Sequence, residues 1–61
     1  MKSEIITFLK DNNRLPSVKS NDLHERNLAH CLTSYRDEEA GAYDPEFIEI
    51  LNENFPELFN L

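Results

Sequence analysis

The chain has 61 residues, a formal net charge of −6, one cysteine, one glycine and 39% hydrophobic residues. That length excludes more than one domain, and a domain so small buries only about 60% of the surface its unfolded chain exposes. The single Cys31 excludes an internal disulfide, and the supply of Leu, Ile and Phe excludes a disordered chain.

The first predicted helix covers residues 3–12. Ile5, Phe8 and Leu9 follow the i, i+3, i+4 spacing of an amphipathic helix, with Ile6 beside them. Asn12 and Asn13 suit its end, because Asn tolerates a positive φ better than most residues. The opening stretch MKSEIITFLKDNN is too short and too charged to be a signal peptide or a membrane span, so the expected location is the cytoplasm. Leu15 precedes Pro16, which pushes it into an extended conformation from which it can fold back onto a core.

The second predicted helix covers residues 22–36. Asp22 followed by Glu25 resembles a capping box. Leu28, Cys31, Leu32 and Tyr35 form an apolar stripe that Leu23 extends, and Glu25, Arg26, His30 and Ser34 are expected opposite it.

The third predicted helix covers residues 44–54. Asp44, Pro45 and Glu46 supply an N-cap, a proline at the first helical position and an acid favoured by the helix dipole. Tyr43 and Ile48 stand at the two positions of a hydrophobic staple. Phe47, Ile50 and Leu51 are expected to face inward. Pro56 stops the helix, and the apolar tail 55–61, with Phe55, Leu58, Phe59 and Leu61, serves either as the floor of the core or as a binding surface. The expected fold is therefore all-α, a compact three-helix bundle forming a single domain over 1–61.

Charge is divided unevenly along this frame. Residues 1–36 hold all six basic residues and four acids, a net +2, whereas residues 37–61 hold eight acids and neither Lys nor Arg, a net −8. Such asymmetry bears on partners rather than on fold.

The pattern F-L-x-x-N-N-R-L-P-S, then E-R-x-L-A-x-C-L-x-x-Y-R, then F-I-x-I-L resembles the helicase-associated domain. The resemblance rests on Phe8, Asn13, Arg14, Leu15, Pro16, Ser17, Glu25, Leu28, Ala29, Leu32, Tyr35, Arg36 and Leu51, with Cys31 where the family usually carries Trp. It implies a small three-helix module of the kind appended to DNA helicases, and a role in binding nucleic acid. It also implies a mainly structural part for the connector, with Leu15 and Pro16 inserted under the helices.

Two functional readings follow. Glu46, Glu49 and Glu53, reinforced by Glu38 and Glu39, can present carboxylates to a basic surface on a protein partner, which would speed association and select partners. A helix that is merely solvated usually mixes signs and gains from Glu–Lys pairs, and this one gives up that support. Alternatively, Arg14, Lys19, Arg26 and Arg36 can make phosphate contacts with DNA or RNA. Plainer roles stand beside both: the acids as a solvated face, Arg26 paired with Asp22, and Arg36 at the C-terminal carbonyls of the second helix.

No catalytic residue is expected, because no nucleophile has a base beside it and no carboxylate is placed to have its pKa raised. His24, His30 and Cys31 invite a metal site, but His30 and Cys31, adjacent on a helix, point about 100° apart. Cys31 is expected to fill a core slot, and neither metal nor cofactor is expected. The primary expectation is a small acidic adaptor or inhibitor acting on a protein with a basic surface, such as a nucleic-acid enzyme; a phage or mobile-element origin would suit it. The alternative is a nucleic-acid-binding accessory domain.

Overall fold

A computed structural model describes residues 1–59. Four helices follow one another: α1 Lys2–Asn12, α2 Leu23–Arg36, α3 Pro45–Asn54 and α4 Pro56–Phe59. The described residues contain no strand. The all-α bundle of three main helices is as the sequence predicts, and part of the tail adds a single-turn fourth helix.

Each main helix has a visible start or stop. α1 ends at Asn13, whose left-handed backbone (φ 52°, ψ 38°) lets its N–H donate to the Leu9 carbonyl at 2.9 Å. α2 begins at Asp22, whose carboxylate accepts from the His24 N–H at 3.2 Å. α3 begins at Asp44, which accepts from the Phe47 N–H at 3.1 Å, with Pro45 next in line where a missing N–H costs nothing. Between α2 and α3 the chain turns through residues 37–44, and the Asp44 N–H donates to the Tyr35 carbonyl at 3.0 Å.

Ile5 and Leu9 of α1, Leu28 and Leu32 of α2, and Phe47 and Leu51 of α3 form the core. Burying each such side chain contributes about 1.5–3 kcal/mol relative to leaving it exposed. The rings of Tyr35 and Phe47 meet edge to face, with centroids 5.4 Å apart and planes at 78°. Leu15 and Cys31 pack half-buried against this core, as their sequence contexts suggest. Phe55, Leu58 and Phe59 do the same, so these tail residues close the core; Leu61 lies outside the described residues.

Three expectations about facing need correction. Leu23 is 62% exposed, while Glu25, expected on the outer face, is only 6% exposed. The reason is spacing: Glu25, Leu28, Ala29 and Leu32 fall at i, i+3, i+4 and i+7, so the inward face of α2 begins at Glu25. Glu25 consequently does not complete a capping box; its carboxylate bonds Arg14, Ser17 and Ser20 instead. In α3 the inward face is set by Phe47 and Leu51, and Ile50 turns away, 48% exposed.

Candidate functional site

The basic residues are placed by the connector and by α2, and two of the four are engaged by neighbouring side chains. Arg14 forks onto Glu25, with Nη1 2.8 Å from Oε2 and Nη2 3.2 Å from Oε1. Its guanidinium also lies 5.0 Å from the centre of the Phe8 ring. The same carboxylate accepts from the Ser17 N–H at 2.8 Å and from the Ser20 hydroxyl at 3.2 Å. These bonds, the one from Arg14 foremost and that from Ser17 next, hold the Glu25 carboxyl at a pKa of about 2 against the opposing effect of burial. A buried carboxylate thereby ties the connector down onto α2.

Arg36 lies over the Phe59 ring, 5.6 Å from guanidinium carbon to ring centre, a cation–π contact that links the end of α2 to α4. Arg26 is half-buried, and its Nε is buried with no hydrogen-bond partner among the described residues. The pairing of Arg26 with Asp22 expected from sequence is not among the ion pairs of the described residues. Lys19 is exposed in the connector turn, where its backbone N–H donates to the Ser17 hydroxyl at 3.1 Å.

The acids are arranged differently. At 100° per residue, passing round α3 from its core face, Asn54 and Ile50 come first, then Glu46 and Glu53, then Glu49. Glu46, Glu49, Ile50 and Glu53 are all exposed, at i, i+3, i+4 and i+7. Three carboxylates therefore share one helix face with an exposed aliphatic side chain on its border. Among the described residues none of the three forms an ion pair. Glu38 and Glu39 are exposed in the turn before α3, where the Glu39 N–H donates to Asp37 at 2.9 Å.

Ile50 also lines a shallow groove between α1 and α3, together with Ile6, Lys10, Leu51, Asn54 and Phe55. At the other end of the same pair of helices, Lys2 is ion-paired with Asp44, and its ammonium sits 5.4 Å from the centres of both the Tyr35 and Phe47 rings. The Lys2 interaction draws the Asp44 carboxyl below its ordinary pKa, with the Phe47 N–H adding to it. This exposed contact adds a link between α1 and the start of α3, whose spacing is held by the buried Ile5, Leu9, Phe47 and Leu51.

The sequence reading missed Glu25 and Ile50, one facing inward and the other outward against expectation. Helical spacing carried part of the signal: Glu25 is in register with Leu28 and Leu32, whereas Ile50 is in register with Phe47 as well as with Glu46 and Glu53, so spacing left its facing open.

Among the described residues no group of three or more His, Cys, Asp or Glu side chains is gathered as metal ligands would be. No described helix is long and apolar enough to cross a membrane. No protein-family model, curated protein or solved structure matches the chain.

Proposed function

We propose that this chain is a small acidic protein-binding module, an adaptor or inhibitor, that engages a partner through the face of α3 bearing Glu46, Glu49 and Glu53. The observation that carries this reading is the position of Ile50. An aliphatic side chain 48% exposed beside three carboxylates gives the face an apolar contact as well as charge. Apolar and charged contacts side by side, with Ile50 at the border of the carboxylates, supply both elements of a protein interface. The partner has a basic surface, such as that of a nucleic-acid enzyme, and Glu38 and Glu39 extend the acidic field toward it. Charge of this kind raises the association rate and selects among partners.

The second reading, contact with DNA or RNA through Arg14, Lys19, Arg26 and Arg36, accords with the resemblance to the helicase-associated domain. The engagement of Arg14 by Glu25 weighs against it, because a phosphate would have to compete with a carboxylate held at four hydrogen bonds.

The test is simultaneous reversal of Glu46, Glu49 and Glu53 to Lys. All three side chains are exposed, so the circular dichroism spectrum and the melting transition remain those of a folded helical protein. Binding to the protein partner is expected to fall sharply. Unchanged binding would remove the acidic face from the account.

A further inference from the structure

The groove between α1 and α3 has two unlike banks. On the α3 side, Ile50 and Asn54 lead outward to Glu46, Glu53 and Glu49. On the α1 side, Lys2, Ile6 and Lys10 recur every four residues along one line of the helix; Lys2 is held by Asp44, and Lys10 borders the groove. The floor is apolar, made by Ile6, Leu51 and Phe55. Its volume, about 240 Å³, is below the roughly 300 Å³ at which sites for drug-sized molecules begin. A short ridge of aliphatic side chains suits it better than a small-molecule ligand.

We propose that this groove receives an amphipathic helix of a partner protein, its apolar ridge set against Ile6, Ile50 and Phe55 and its lysine- or arginine-bearing flank turned toward Glu46 and Glu53, the carboxylates next to Ile50. The inference rests on the protein-binding reading above and adds the form of the partner. Three arguments select this occupant. The described residues offer no strand edge, so an extended peptide has no backbone ladder to join. A channel between two helices is the seat used in helix-in-groove recognition, where anchors recur at helical spacing. Charge then sets the partner's orientation, because Glu46 and Glu53 stand just beyond the Ile50 bank and Lys10 stands on the other. A second copy of this chain is disfavoured, since residues 37–61 carry eight acids and no Lys or Arg, and pairing α3 faces would set like charges together.

The probes are two synthetic peptides of identical Leu, Lys, Ala and Gln composition. In one, Leu residues line a single helical face with Lys along one flank; in the other the order is scrambled. Titration calorimetry gives affinities, amide NMR gives the surface contacted, and sedimentation gives the oligomeric state. The amphipathic peptide is expected to bind at least about tenfold more tightly than the scrambled one and to shift the amide signals of Ile6, Lys10, Ile50 and Asn54. Ile50→Asp is expected to weaken its binding by about tenfold while remaining folded at the titration temperature, which its circular dichroism spectrum checks. Equal binding of both peptides, with shifts confined to the acidic residues, would overturn the groove and leave the acidic face standing. Binding by neither peptide would overturn both. Self-association that covers Ile50 would replace the partner helix by a second copy.

Discussion

Arg14 and Glu25, eleven residues apart, meet in a forked pair of hydrogen bonds at 2.8 and 3.2 Å. One partner stands in the connector and the other on the inward face of α2, so this contact converts a loop into a fixed part of the fold. The Ser17 N–H and the Ser20 hydroxyl bind the same carboxylate, and four bonds therefore depend on one ionised group.

Acid should release this connector. The Glu25 carboxyl, ordinarily near 4.5, is lowered to about 2 in the folded protein, chiefly by Arg14. A folded-state pKa below the unfolded one gives stability that is complete above the unfolded value and lost as pH falls through the folded one. The melting temperature of the parent is therefore expected to drop between pH 4.5 and about 2. Glu25→Gln should melt lower at neutral pH, and its deficit should shrink across that window. Melting curves of both proteins through the range check this, and a deficit that stays constant with pH would contradict it.

Asn13 provides a backbone test. Its φ of 52° is the left-handed region that a β-carbon disfavours, and Asn tolerates it through its short polar side chain. Asn13→Ala is expected to destabilise by about 1 kcal/mol, whereas Asn13→Gly is expected to be close to neutral or slightly stabilising. Urea denaturation of the two variants beside the parent decides the matter.

Gly41 should behave in the opposite way. It does not have a positive φ, and a β-carbon built there would meet nothing within 4 Å. Gly41→Ala is expected to stabilise by about 0.4–1 kcal/mol by restricting the unfolded chain. A loss of stability in the same denaturation experiment would show that the turn depends on the glycine.

Leu28 and Ile50 separate core from surface. Leu28 is fully buried, and Leu28→Ala is expected to cost about 2–5 kcal/mol, enough to unfold much of a small domain. Ile50 is 48% exposed, and Ile50→Ala is expected to cost under about 1 kcal/mol. Equal losses at the two positions would mean that Ile50 belongs to the core, and its place on the binding face would fall.

Much of the fold was legible because local chemistry and global packing agree in it. Asp22, Asp44 and Pro45 mark helix starts for reasons confined to a few residues, and Asn13 marks a stop in the same way. Apolar residues at helical spacing located the core on all three main helices. What escaped the reading depended on partners distant in sequence. Glu25 looked like a member of a capping box because Asp22 lies three residues before it, and only the return of the connector, bringing Arg14, Ser17 and Ser20, gives it an inward role. Ile50 looked like core because hydrophobicity marks a residue for burial without saying whether another helix arrives to cover it. The candidate site was half legible: the run of acids is plain in sequence, whereas the groove beside it needs α1 and α3 brought together by the packing of Ile5 and Leu9 with Phe47 and Leu51.

The central claim is that the acidic face binds a protein rather than that the basic first half binds nucleic acid. The most direct measurement is a pull-down with the tagged chain from a host-type cell lysate, split into nuclease-treated and untreated halves, with the Glu46, Glu49 and Glu53 to Lys variant run beside it. One protein in stoichiometric amount, retained by the parent after nuclease treatment and lost by the variant, is the predicted result. Bound material that disappears with nuclease and persists on the variant would contradict the claim and place the working surface on Arg14, Lys19, Arg26 and Arg36.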